Sequence, residues 1–226
     1  MPDVIKYPYP MTLTQLTEDT FVQLLSLFNK SIDLRSATFI DPYGMVGILE
    51  IGELLKSDGI QKIIYLPESE EVLKYLERMD FFKFAEKYFR LEPSIPQISG
   101  KYLRSSYSDV LLEITPIEKS DDIHFIVGKV KERANAILKN HLHYDERAIN
   151  GFIVALSEVC QNILEHSGTK GFVGIQKYHW QNIGKNIVKI AVMDTGIGFR
   201  KSLSERLTIK NDLDGIGKAL LHGASR

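Results

Sequence analysis

A hydrophobic run that ends in an aspartate and two spaced glycines, IAVMDTGIGF at Ile190–Phe199, limits what this chain can fold into more than any other stretch. The run reads as a strand, and strand alternation sets Ile190, Val192 and Asp194 on one face. A carboxylate then closes a line of buried side chains. Left unpaired there it would cost several kcal/mol, so it needs a donor. Gly196 and Gly198 permit positive φ and let a flat group approach the main chain closely. Two readings satisfy these terms. One is an acidic tight turn with structural glycines. The other is a pocket in which Asp194 meets the exocyclic amine of adenine beside bare backbone.

A second pattern precedes it. DERAINGFIVALSEVCQNILEHSG reads as a helix capped by Asp145 and closed by Gly168. Ile149, Phe152, Ile153, Leu156, Val159, Cys160 and Ile163 make its apolar stripe. Glu158, Asn162 and His166 follow one another at intervals of four along the stripe's edge, so they line up on one ridge. A carboxylate beside an amide oxygen offers hard ligands for Mg²⁺ and a candidate general base. Taken alone, the same ridge reads more simply as a solvated helix face.

The surrounding chain divides near residue 100. LEPSIPQISGKYLRSSYSD, with two prolines, a glycine and five serines, reads as a linker. In the first part, 1–100, LTEDTFVQLLSLFNKS is an amphipathic helix, SIDLRSATFID a strand entering a turn at Pro42 and Gly44, and GMVGILEIGELLKSDG a helix. IQKIIYLP is a second strand and ESEEVLKYLERMDFFKFAEKYF a helix, which together predict a small α/β unit with parallel or mixed strands. In the second part, 101–226, the strand DVLLEITPI and two helices precede GFVGIQKYHW and NIVKIAVMD, a hairpin. That order predicts an α+β sandwich.

With both patterns in view, the second part resembles a known family. SEVCQNILEHS is similar to the N-box, and VMDTGIGF to the G1 box, of the GHKL (Bergerat) ATP-binding fold. Gyrase, the large heat-shock chaperones, histidine kinases and mismatch-repair ATPases share that fold. The layout is closest to the anti-sigma-factor serine kinases. The resemblance implies that ATP and Mg²⁺ are the cofactors, that Glu158 acts on or near the attacking group, that Asn162 binds Mg²⁺ and that Asp194 recognises adenine. Gly196 and Gly198 would shape the base pocket, and His166 belongs to the N-box ridge. ALLHGASR resembles the end of the family's mobile lid, which adds Ser225 and Arg226 to the expected nucleotide contacts. In the family a glycine-rich G2 segment, a helix and a last strand follow; Gly215 and Gly217 precede the lid-like residues and are expected within the lid. The sequence stops at Arg226, so the domain is expected to be incomplete after the lid.

The stretch from Ile32 to Phe84 resembles the STAS domain of anti-sigma-factor antagonists. That family carries a phosphate-accepting serine after its second strand, where Asp41-Pro42-Tyr43-Gly44 stands here. The resemblance therefore implies a regulatory or contact-making unit without the phospho-switch. Together the two parts imply an ATP-binding signalling switch of serine/threonine-kinase type. The expected partners are an adenine nucleotide and a regulatory or STAS-type protein, with a homodimer as a further option. The alternative is a non-catalytic nucleotide-sensing or protein-interaction module.

Bulk properties narrow the field. A net charge of −1 over 226 residues gives no electrostatic reason for a nucleic acid or an anionic membrane as the main partner. The single cysteine excludes an internal disulfide and suits a reducing compartment. No apolar run approaches the roughly 20 residues needed to cross a bilayer, and MPDVIKYPYP is not a signal peptide. A cytoplasmic protein is expected. His141 and His143, two apart, point to different helix faces and make a poor metal pair. Cys160 and the aromatic cluster FFKFAEKYF read as packing.

Overall fold

The computed structural model of the chain describes residues 4–6, 31–56, 62–94, 109–134, 145–180, 184–219 and 221. It is a mixed α/β protein with two small sheets. The first sheet is parallel throughout, in the order β1 (Val4–Lys6), β2 (Ser31–Asp33), β3 (Lys62–Tyr65), β4 (Phe89–Glu92). The second is antiparallel, in the order β5 (Val110–Ile117), β6 (Gly171–Trp180), β7 (Lys185–Asp194). β6 and β7 form the predicted hairpin, paired from Gly171 opposite Asp194 to Trp180 opposite Lys185.

Helix α1 (Pro42–Leu55) joins the two sheets. Asp41 caps it, its side chain accepting from the Gly44 N–H at 3.0 Å, and Pro42 supplies a preset φ at the first helical position. Pro42 thus opens the helix; it does not end a turn before it. Met45, Val46, Ile48, Leu49, Ile51 and Leu55 are all buried, as in a helix covered on every side. These residues share one core with Ile32, Ile64 and Leu91 of the first sheet and with Ile114, Phe172 and Ala191 of the second. The opposite face of the second sheet carries α4 (Ser120–Ala134) and α5 (Glu146–Asn162) over a second core of Ile126, Val130, Ile153, Leu156, Cys160 and Val173. The two parts divided near residue 100 in the sequence therefore meet in a common core.

One predicted helix is corrected. The segment 68–89 breaks at Asp80, which takes a left-handed φ of 60°. Helix α2 (Glu70–Arg78), capped by Ser69, stops there, and a short α3 (Phe81–Ala85) follows at a new angle. The break lets Phe81, Phe82 and Phe84 all point into the core, which a continuous helix with a 3.6-residue period could not do. Beyond it, Phe89 and Leu91 alternate inward as β4, in place of the helix end and linker that the sequence pattern predicts. The amphipathic helix expected over residues 16–30 and the His141/His143 pair lie outside the described residues. Among those described, no helix is long and apolar enough to cross a membrane.

Candidate functional site

The helix that carries Glu158, Asn162 and His166 begins as the sequence predicts. Asp145 caps α5, accepting from the Ala148 N–H at 2.7 Å, and Gly168 closes it with φ of 73°. The last turn, Ile163–Ser167, opens into π geometry. Such π turns inside helices recur at functional sites. Here the turn buries Ile163 and Ser167 and leaves His166 at the rim.

The D-x-G-x-G turn is fastened directly to that helix end. The Ile197 N–H donates to the Ser167 carbonyl at 2.9 Å. A side chain at Gly196 would collide with the Ser167 carbonyl and Cβ, so only glycine fits. Gly198 has φ of 71° and open space beside it, leaving its backbone face bare. Asp194 differs from the expectation of a buried carboxylate. It is exposed, as is Ile190, because β7 is an edge strand of the three and only Ala191 is fully covered near its end. Its Oδ1 accepts from the Gly196 N–H at 2.8 Å, forming an Asx-type turn. Its Oδ2 has no partner among the described residues.

Two adjoining cavities occupy the angle between α5 and α6 (Gly198–Ser204). One, of about 370 Å³, is lined by Glu158, Asn162, Glu165, His166, Phe199 and Arg206, among others. The other, of about 230 Å³, is lined by Asn162, His166, Val192, Asp194, Gly198 and Phe199, among others. Asn162, His166, Phe199 and Ser202 belong to both, so the two are ends of one cleft. Five of the residues singled out from sequence thus converge: Glu158, Asn162 and His166 toward one end, Asp194 and Gly198 at the other. Gly196 holds the turn in place from behind. Gly215 sits in α7 (Asp212–Ala219), packed on the backbone of Arg200. Ser225 and Arg226 lie outside the described residues.

The two ends differ in chemistry. The Asp194 end has an apolar wall of Val159, Ile163, Val192 and Phe199 beside one open carboxylate oxygen and bare glycine backbone. This suits a flat ring with an N–H donor on its edge. The Glu158 end gathers Glu158, Glu165 and Glu205 with Arg206 as the cation and Asn162 as a neutral oxygen. Glu165 is already engaged, by Gln161 at 2.8 Å and His166 at 3.7 Å. Among the described residues no three His, Cys, Asp or Glu side chains gather as a metal cage. A divalent cation here would take Asn162 and one carboxylate and complete its shell from a ligand's phosphates and water, the usual habit of Mg²⁺.

Several contributors carry no sequence signal of their own. Arg206 reaches the cleft only because α6 folds back over α5. Glu50 was detectable: it is a carboxylate in the apolar run GILEIG. It is 1% exposed, on the far side of the sheet from the cleft, and neither oxygen has a hydrogen-bond partner among the described residues. Burial, then the negative charge of Asp194, pushes its carboxyl up to about 8; the Phe172 backbone and Lys170 act in the opposite direction.

Compared with protein-family models, with curated proteins and with solved structures, the chain matches none.

Proposed function

We propose that the cleft is an adenine-nucleotide site of GHKL type and that the chain is an ATP-binding regulatory protein with a STAS-like unit at its N-terminus. The observation that carries this reading is convergence. Two motifs more than a helical turn apart in sequence, one on α5 and one after β7, share a single cleft and are tied together by the Ser167–Ile197 hydrogen bond. On this reading Asp194 Oδ2 accepts the exocyclic amine of adenine, and Gly198 lets the ring lie against the backbone. Val192 and Phe199 exclude water from its faces. Asn162 holds Mg²⁺, and Arg206 opposes phosphate charge. Glu158, at the other end, is the base that orients and deprotonates an attacking hydroxyl or water. Mg-ATP, when bound, supplies the transferable phosphoryl group and neutralises its developing charge.

A second reading, a binding module without transfer, is favoured by one feature. The turn at Asp41-Pro42-Tyr43-Gly44 carries no serine, and it is consumed by the fold: Asp41 caps α1 and pairs with Lys189. The N-terminal unit then works by contact.

A fluorescent adenine nucleotide titrated with Mg²⁺ tests the site. Asp194→Asn should weaken binding by roughly 5- to 150-fold, the worth of one charged hydrogen bond. Equal binding by both proteins overturns the adenine assignment. Terminally labelled ATP then separates the two versions. Label on a serine-bearing STAS protein, lost in Glu158→Ala, supports transfer; nucleotide binding without label or phosphate release supports the module.

A further inference from the structure

The cleft has a waist as well as two ends. Asn162, His166, Phe199 and Ser202 line both cavities, so they stand where the ring end passes into the ionic end. Asn162 is assigned to Mg²⁺ above, which leaves the two other polar groups without a task. Ser202 is half-buried on α6, and its hydroxyl has no hydrogen-bond partner among the described residues. Its neighbour Ser204 behaves as helical serines often do and donates to the Arg200 carbonyl four residues back. His166 is half-buried in the π turn after α5. Its Nε2 lies 3.7 Å from a Glu165 oxygen, too far for a hydrogen bond, and its Nδ1 has no partner among the described residues.

A hydroxyl and an imidazole can each donate or accept, which matches a ligand that carries hydroxyls of its own. A phosphate chain asks instead for positive charge, and Arg206 lines only the Glu158 end. The waist is thus a neutral polar step between an apolar end and an ionic one, with the Phe199 ring as an apolar surface beside it. Base, sugar and phosphate follow one another in a nucleotide in that same order. We propose that Ser202 and His166 read the two vicinal hydroxyls of a ribose, one each, so that the cleft selects ribonucleotides over their 2′-deoxy and 3′-deoxy counterparts. Ser202 comes from α6 and His166 from the end of α5, so one sugar bridges the two walls. Selection at the sugar rests on the cleft's being a nucleotide site, as proposed above, but not on which base fills the ring end.

Isothermal titration calorimetry of the full chain with Mg²⁺ tests this, using ATP, 2′-deoxy-ATP and 3′-deoxy-ATP, and the same three forms of the guanine, cytosine and uracil nucleotides. Each deoxy form should bind about 2- to 12-fold more weakly than its ribonucleotide, the effect of losing one neutral hydrogen bond. Ser202→Ala should weaken the ribonucleotide by a similar factor and leave one of the two deoxy forms bound as in the wild type. His166→Phe should do the same for the other deoxy form; should that variant disturb the π turn, Ser202→Ala decides alone. A deoxy form bound as tightly as its ribonucleotide overturns the proposal. So does a Ser202→Ala protein that loses the same factor for all three forms, because a structural defect does not distinguish them. If a nucleotide other than adenine's binds with this dependence on its hydroxyls and ATP does not, the sugar site stands and the adenine reading falls. Binding of no nucleotide overturns both.

Discussion

Lys189 of β7 reaches across to Asp41, Nζ to Oδ2 at 2.7 Å, while Oδ1 of the same carboxylate caps α1 through the Gly44 N–H. One buried side chain thus starts the central helix and ties it to the edge strand that ends in the cleft. Asp41→Ala removes both bonds and should cost about 2–4 kcal/mol. Asp41→Asn keeps a capping oxygen and should cost less. Urea unfolding measures both, and equal losses would mean that the cap contributes nothing.

The contacts between the two parts predict how the chain unfolds. The Ile114 N–H donates to the Met79 carbonyl at 3.0 Å, the Tyr75 and Tyr178 hydroxyls meet at 2.6 Å, and Phe84 stacks edge-on against Phe172. With a core in common, the described parts should unfold together. Far-ultraviolet circular dichroism and aromatic fluorescence should give coincident transitions. Two separated steps would show that residues 1–100 and 101–226 are independent.

Glu50 gives the stability curve its slope. Its folded-state value of about 8 lies above the ordinary 4.5, so the native form holds a proton that the unfolded chain releases. Its contribution is complete below about pH 4.5, declines by up to ~1.4 kcal/mol per pH unit above that, and is lost by pH 8. Subtracting the unfolding free energies of Glu50→Gln from those of the wild type across pH 5–8 should reveal this decline. A flat difference would show that Glu50 is ionised in the fold.

Much of the cleft was legible because its motifs are local. The cap at Asp145, the apolar stripe through Cys160 and the Gly168 stop fix α5, and helical periodicity alone puts Glu158, Asn162 and His166 on one ridge. The hairpin followed from two strand-like runs, GFVGIQKYHW and NIVKIAVMD, set close together in the sequence. What sequence reasoning missed depends on tertiary choice. Asp80 breaks a helix whose periodicity continues past it, because burying Phe81, Phe82 and Phe84 together outweighs one more helical turn. Asp194 was expected inside because alternation reports a face but not whether a further strand covers it; at the edge position of β7 that face is open. Arg206 joined the cleft through the packing of α6 on α5, which no short-range pattern encodes.

Cys160 should be chemically silent in the folded protein. Its thiol is fully buried between α5 and the second sheet, and burial pushes it up to about 11. Disulfide-exchange labelling at pH 8 should be slower than for the urea-unfolded chain by about a thousandfold or more, since reaction waits for opening. Rapid labelling of folded protein would place Cys160 near the surface.

The two glycines of the D-x-G-x-G turn should respond differently to the same substitution. At Gly198 the surroundings are open and only the positive φ opposes a side chain, so Gly198→Ala should cost about 1–2 kcal/mol. At Gly196 the new methyl would meet the Ser167 carbonyl, a backbone atom that cannot rotate aside, and Asp194 Oδ1 at 2.7 Å. Relief requires the turn to lift from the end of α5, which breaks the Ile197–Ser167 hydrogen bond and carries Asp194 out of line with Asn162. Gly196→Ala should therefore be the more destabilising of the two, and the more damaging to adenine-nucleotide binding per unit of stability lost. Thermal unfolding and nucleotide titration on the pair decide it. If Gly196→Ala is the milder change, the contact with Ser167 does not hold the turn, and the two ends of the cleft are positioned independently.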